Sequence, residues 1–345
     1  MLKVGIVGCS WAGRAHAAAF QQIKDAQLVA VADVDLDIAS AFAQKFKVPR
    51  VYADYKDLLE REQIDLISIC TPTSTHMEIA LYAAECGVSG MLIEKPMART
   101  SEQCQEIITT GQKKNISISV CHNRLFFPSV QAASTKLETH NQRLKLVKAT
   151  FFLRSPPRDH WKTKQEEGGM LWEEGCHAAY LLQHFLSEIV EVQAFGSRLR
   201  HSVYDDITAF VRCADDSWGI MEVSWVREPS LSLEIFPFEH PPLKVNLDYR
   251  EVTKINAYSS GEFIRQVIPL LPRHLASILL SKLRLRSQAM PVSHHLELID
   301  SHVKAMTRGE RPLVSPEEGK AAIQLLECVE KSILEKRPVR YEELF

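Results

Sequence analysis

Apolar residues in the first third of the chain fall into short runs at residues 2–7, 28–32, 51–52, 66–70, 91–93 and 116–120. These runs are rich in β-branched residues and lack clean polar alternation, the mark of strands buried on both faces. Between them, residues 14–23, 38–46, 57–62, 74–86 and 101–112 carry apolar positions at helical spacing. Strand and helix in alternation predict a parallel sheet covered on both sides, the doubly wound α/β pattern.

The texture changes after residue 122. A helix is expected near 129–138, then strands at 146–153, 190–197, 207–213, 219–225, 231–236 and 243–249, with one helix at 171–186 among them. Strands that mostly follow one another predict an α+β domain with an antiparallel or mixed sheet. Residues 295–335 read as helical around a turn at Gly309. The expected division is 1–122 for the first domain and 123–345 for the second.

A length of 345 residues agrees with that division, at about 150 residues per domain. A hydrophobic content of 46% excludes a disordered chain. With 41 basic and 43 acidic residues the net charge is −2, which argues against a general nucleic-acid binder. No apolar run reaches the roughly 18 residues of a membrane span. The N-terminus enters a strand directly, without a secretory pattern, so a cytoplasmic protein is expected. The eight cysteines are scattered, with no C-x-x-C and no zinc-ligand spacing. Reduced thiols and no metal site are the expectation.

The first strand runs into Gly8-Cys9-Ser10-Trp11-Ala12-Gly13. This is the place of the G-x-G-x-x-G turn that holds a dinucleotide pyrophosphate on a helix N-terminus. Gly8 permits the tight turn and Gly13 the close helix approach; Ser10 stands where the middle glycine belongs. Asp33 ends the second strand, 20 residues after Gly13. An acid there bonds the ribose hydroxyls and repels a 2′-phosphate, which favours NAD over NADP.

Thr71-Pro72 through His76 follows one strand and Glu94-Lys95-Pro96 the next. Both open toward the crevice at the carboxyl ends of the strands. Lys95 beside a nicotinamide is expected to act as acid, base or hydrogen-bond donor, its pKa lowered toward neutrality by burial and by the cofactor's charge.

The glycine turn, the Thr71–His76 segment and Glu94-Lys95-Pro96, in that order and context, resemble the glucose–fructose oxidoreductase/inositol dehydrogenase (Gfo/Idh/MocA) family. The segment Gly168 to His177 resembles the signature of that family's second domain. The resemblance implies an N-terminal Rossmann domain and a C-terminal α+β domain with a large open sheet that makes homodimer or homotetramer contacts. It implies an NAD(P)-dependent oxidoreductase acting on a sugar, cyclitol or related alcohol. Lys95 takes the role of the family lysine at the reacting carbon, and Glu94 and the 71–76 segment line the nicotinamide half of the cofactor. The family's Asp-x-Gly-x-His-x-x-Asp pattern reads here as Glu173, Gly175, His177 and Tyr180, with two departures, at Glu173 and Tyr180. Glu173 and His177, four apart, would share a helix face. His177 would hold the reacting oxygen with Lys95, and Glu173 would orient His177 or bond a neighbouring hydroxyl. Asn123 and Arg124, in the crossover after the last Rossmann strand, and Trp161, which offers an aromatic face, are expected to contact substrate, as is Tyr180. A basic, apolar stretch at 265–286 is read as a helical insertion packed on its own domain, with a membrane surface, a partner or a phosphorylated or nucleotide-linked sugar as the other ligands such a stretch could take. Two other readings stay open: an NAD-sensing regulator without catalysis, and an NAD-dependent glycosidase with no net redox change.

Overall fold

The computed structural model describes residues 1–139, 143–247, 255–257 and 293–345. The basic stretch at 265–286 lies outside them.

The N-terminal elements follow the alternation read from the sequence. They are β1 (Leu2–Val7), α1 (Trp11–Phe20), β2 (Ala26–Ala32), α2 (Leu36–Phe46), β3 (Arg50–Tyr52), α3 (Tyr55–Arg61), β4 (Leu66–Ile69), α4 (His76–Glu85), β5 (Gly90–Ile93), α5 (Ser101–Lys114) and β6 (Ser117–Val120). The six strands form one parallel sheet in the order β3-β2-β1-β4-β5-β6. Val4 pairs with Leu28 on one side and Leu66 on the other, so β1 is central and buried on both faces. The connections reverse direction between β1 and β4, which opens a crevice above their carboxyl ends. Gly8 follows β1 and Thr71 follows β4 at that crevice.

Helix α6 (Pro128–Thr139) leads into the second sheet. Its strands are β7 (Leu144–Phe152), β8 (Ile189–Ser197), β9 (Asp206–Cys213), β10 (Trp218–Ser224), β11 (Ser230–Pro237), β12 (Leu243–Asn246), β13 (Ile255–Ala257) and β14 (Val339–Arg340). Their order is β13-β12-β11-β7-β10-β9-β8-β14. Neighbours run antiparallel except β7 and β10, which are parallel. The alternation along β9 shows why one face is covered and the other open: Ile207, Ala209, Val211 and Cys213 are fully buried, while Phe210 between them is 39% exposed. Phe195 on β8 and Trp218 on β10 are also exposed.

The expected helix at 171–186 is two helices, α7 (Gly169–Glu173) and α8 (Gly175–Phe185). The chain bends at Glu174, whose φ of −110° and ψ of −25° depart from regular helix. Two C-terminal helices, α9 (Ser293–Arg308) and α10 (Pro316–Glu335), return to the first sheet. Helix α9 packs on α1 and β5, and α10 lies between α5, α8 and β8. Ser315 caps α10 in a reciprocal capping box with Glu318, followed by Pro316 at the first position.

His302 on α9 is fully buried, and burial pushes its pKa down to about 4. The unfolded chain takes up this proton below about pH 6.5 and the folded chain does not, so the stability present above pH 6.5 is lost as pH falls toward 4. By pH 5 the loss from this one residue reaches about 2 kcal/mol. His302→Gln is expected to shrink the stability difference between pH 7 and pH 5 by about that amount. Denaturant unfolding of both chains at the two pH values measures it, and an equal difference in both would refute the assignment.

Candidate active site

The glycine turn is shaped by two contacts that tolerate no side chain. Gly8 has φ +94°, and a Cβ there would stand 2.5 Å from the carbonyl oxygen of Cys70. A Cβ on Gly13 would stand 2.0 Å from the carbonyl oxygen of Gly8. The first turn of α1 is thereby laid against the end of β1, with its free N–H groups facing the crevice. Ser10 is the N-cap of α1, exposed, and its hydroxyl makes no cap bond. Trp11, half exposed, meets His295 edge-on, and Ala12 is partly exposed beside it. The Cys9 N–H donates to Asp33 Oδ2 at 2.7 Å and the Asp35 N–H to Asp33 Oδ1 at 3.0 Å. Asp33 therefore joins the turn to the end of β2, where an adenosine ribose would rest. These residues fit a dinucleotide: small where its phosphates approach, and acidic where its hydroxyls lie.

On the other flank, Thr75 Oγ1 lies 2.8 Å from Thr71 Oγ1 and from the Pro72 carbonyl. His76 is fully buried, its ring nitrogens 2.9 Å from the carbonyl oxygens of Thr71 and Pro96. It braces the two crevice loops from within. Glu94 is buried beside His16. Burial opposes its ionisation, but His16, His295 and Lys95 hold its pKa down at about 2.

Lys95 Nζ donates to the main-chain oxygen of Glu173 at 2.9 Å and lies 3.3 Å from Glu173 Oε1. The same Oε1 accepts from Lys162 Nζ. One partly buried carboxylate thus bridges two ammonium groups. The protein's own charges act against the lowered Lys95 pKa expected from burial and the cofactor. Burial does act to lower it, but the charges of Glu173, Glu174 and Glu94 outweigh burial and raise it above its ordinary value. Lys95 is an ammonium here and donates hydrogen bonds. Burial works to raise the Glu173 pKa, but Lys95 and Lys162 hold it below the usual range. Because the chain bends at Glu174, Glu173 turns to the lysines and makes no bond to His177.

His177 is buried on α8, with ring Nδ1 unpartnered. Burial, then the charges of Lys95 and Arg124, push its pKa well below the ordinary histidine value. His122 stands beside it, ring centroids 6.4 Å apart, with neither ring nitrogen partnered. Its pKa is pushed down to about 3 by burial and by Lys95. Glu174 Oε2, also near Lys95, is buried without a partner.

The other expected contacts lie on separate elements. Asn123 Nδ2 lies 2.9 Å from His295 Nε2. Arg124 turns inward, donating to the Leu247 carbonyl at 2.5 Å and lying over Phe127 and Phe151. Trp161 is 38% exposed, with Lys162 over its ring. Tyr180 stacks on His122 at 4.2 Å, and it lines a separate cleft of about 620 Å³ with Gln183, His184, Glu318 and Tyr341. Lys162 and His122 complete the Lys95 cluster, although sequence spacing gave neither a role.

Comparison with known proteins agrees with this architecture. Residues 2–122 match the Gfo/Idh/MocA oxidoreductase family, NAD-binding Rossmann fold, and residues 143–237 match the Gfo/Idh/MocA C-terminal domain. Myo-inositol 2-dehydrogenase of Thermotoga maritima is 25% identical over 99% of both chains. Levoglucosan dehydrogenase of Pseudarthrobacter phenanthrenivorans is 29% identical over 40% of this chain and 37% of its own. A solved levoglucosan dehydrogenase in complex with NADH superposes with a TM-score of 0.83 at 19% identity, covering 99% of each chain. With both domains matched and the crevice residues in place, the chain belongs to the Gfo/Idh/MocA family of oxidoreductases with an NAD-binding Rossmann fold.

Proposed function

We propose that this protein is an NAD-dependent dehydrogenase or reductase acting on a secondary alcohol or ketone of a sugar or cyclitol. The observation that carries the reading is the group of unpartnered polar atoms around Lys95. Both ring nitrogens of His122, Nδ1 of His177 and Oε2 of Glu174 are buried without hydrogen bonds. Such atoms are expensive to leave unpaired, and a polyhydroxylated ring supplies the missing partners. The names of the relatives point the same way, to myo-inositol and levoglucosan.

Residues Gly8, Ser10, Gly13 and Asp33 would hold NAD, with Thr71, Pro72 and Glu94 on its nicotinamide side. The cofactor supplies the hydride acceptor or donor. The Lys95 ammonium donates a hydrogen bond to the reacting oxygen and stabilises the negative charge that develops there. The neutral His177 imidazole takes the hydroxyl proton in oxidation and returns it in reduction. Glu173 fixes the Lys95 ammonium in place, and Lys162 fixes Glu173.

Residues 1–122 form the cofactor domain in this reading, and 123–345 the substrate domain. The open sheet face bearing Phe195, Phe210 and Trp218 joins copies into a homodimer or homotetramer, which light scattering on the purified chain would measure. A cytoplasmic location suits eight cysteines that are all free, and no described helix is long and apolar enough to cross a membrane.

The test is a turnover screen with NAD or NADP against polyols, inositols, aldoses, sugar acids and nucleotide sugars, followed by nicotinamide absorbance. Turnover with NAD is expected. Tight NAD binding without turnover on any substrate would overturn the reading. Asp33→Ser is expected to raise KM for NAD about tenfold and to narrow the preference over NADP, since the carboxylate both bonds ribose and repels a 2′-phosphate. An unchanged cofactor preference would remove Asp33 from that role.

A further inference from the structure

Behind the crevice, four buried side chains from separate elements turn their donor atoms toward one point. His16 stands on α1, Glu94 just after β5, Cys121 just after β6 and His295 on α9. None is more than 7% exposed. Their donor atoms all lie within 4.8 Å of one another. His16 Nε2 is 3.0 Å from Glu94 Oε1 and 3.4 Å from Cys121 Sγ. With Zn–N and Zn–O near 2.0 Å and Zn–S near 2.3 Å, a tetrahedral site sets its ligand atoms about 3.3 to 3.6 Å apart. Small shifts bring these four donors to that spacing.

The chemistry of the set selects the ion. A thiolate and two imidazoles suit zinc and its neighbours, whereas magnesium and calcium prefer oxygen donors. Two neutral imidazoles, one carboxylate and one thiolate around Zn²⁺ sum to zero charge, which a buried site accommodates most readily. The surroundings also supply the partners that orient metal-bound imidazoles. Ser68 Oγ lies 2.7 Å from His16 Nδ1 and can accept its N–H; at His295 the Asn123 side chain would turn its amide oxygen toward Nε2, which its Nδ2 now faces at 2.9 Å. In the absence of a metal, the Cys121 thiol offers His16 only a weak hydrogen bond.

We propose that His16, Glu94, Cys121 and His295 bind one Zn²⁺ as a closed structural site that fastens α9 to the ends of β5 and β6. On binding, the Cys121 S–H bond breaks and its proton leaves to solvent as the S–Zn bond forms. His16 keeps its Nδ1 proton, donated to Ser68, and the Nε2 proton it shares with Glu94 leaves to solvent with that of Cys121, which frees Nε2 for the metal. Glu94 binds as the carboxylate it already is. Since Glu94 precedes Lys95, the same ion steadies the loop that carries the reacting ammonium.

The test is elemental analysis of the full chain, purified without a metal-affinity tag or chelator, followed by replacement with Co²⁺. One zinc per chain is expected. The Co²⁺ form should show tetrahedral d–d bands and a thiolate-to-cobalt charge-transfer band. Cys121→Asp should keep Co²⁺ but lose the charge-transfer band, and His295→Gln should lower metal content at least about tenfold. Ser68→Ala, with every ligand intact, should weaken binding by about ten- to a hundredfold. Less than about one zinc per ten chains, with no charge-transfer band on adding Co²⁺, would overturn the site. So would a charge-transfer band that survives in Cys121→Asp. The wild-type spectrum decides the matter even where a variant fails to fold.

Discussion

Lys95→Met is expected to reduce kcat/KM for alcohol oxidation by about a thousandfold while NAD affinity changes by no more than a few fold. The size follows from removing one charged donor aimed at an oxygen that gains negative charge in the transition state, in a site shielded from water. Methionine matches the length of the lysine stem and offers no donor. The fold should survive, because Glu173 keeps Lys162 as a partner when Lys95 is gone. The variant therefore leaves no carboxylate buried alone, the usual cause of collapse when one member of an ion pair is deleted. Steady-state kinetics and NAD titration of the two chains measure the split. A variant with wild-type turnover would remove Lys95 from the reaction.

The pH profile separates the donor role from the base role. Carboxylates raise the Lys95 pKa above its ordinary value, so Lys95 does not titrate between pH 7 and 9. Burial and the Lys95 charge push the His177 pKa well below the ordinary histidine value, so His177 is already neutral there. A profile flat from about pH 7 to 9, with its acid limb below about 6.5, is expected. A lysine acting as base with a lowered pKa would instead give a rise through pH 7 to 8.

What the sequence makes legible is what is local. The runs at 2–7 and 66–70 are apolar but for Lys3 and Ser68 because their strands are buried on both faces over most of their length, and that pattern survives without knowledge of their neighbours. Gly8 and Gly13 are readable because the turn and the close helix approach concern residues a few positions apart. The parallel pairing of β7 with β10 is not readable, since alternation fixes which face a strand buries and leaves open which strand lies beside it. The bend at Glu174 is hidden for a different reason: it stands beside Gly175, a poor helix former, but the apolar spacing runs on through it. The carboxylate that opposes a lowered Lys95 pKa is not readable either, because it arrives from a position 78 residues further on. His16, Glu94, Cys121 and His295 show no spacing motif, as each comes from a separate element. Tyr180 stacks on His122 and Arg124 lies over Phe127, contacts between separate elements that no spacing along the chain reveals.

Glu173→Gln is expected to lower stability by about 3 kcal/mol and turnover by about a hundredfold. Its carboxylate lies between Lys95 and Lys162, and both the Lys95 and the Glu173 side chains are no more than 15% exposed. Glutamine keeps the shape and one acceptor but removes the charge, which leaves two ammonium groups facing each other in a poorly hydrated site. The main-chain oxygen of residue 173 still accepts from Lys95, but no negative charge then lies between the two lysines. The system relieves this repulsion by releasing a proton from one lysine, so the Lys95 pKa falls toward the working range. The flat region of the pH profile should then break on its basic side, where Lys95 loses the proton that makes it a donor. Adding Lys162→Met removes the second cation, so the double variant should regain part of both the stability and the basic-side activity. That recovery is what a bridging carboxylate requires, because the second substitution helps only when the charge between the two lysines is missing. If Lys162→Met lowers stability equally with and without Glu173→Gln, the three groups act independently and Glu173 does not bridge them.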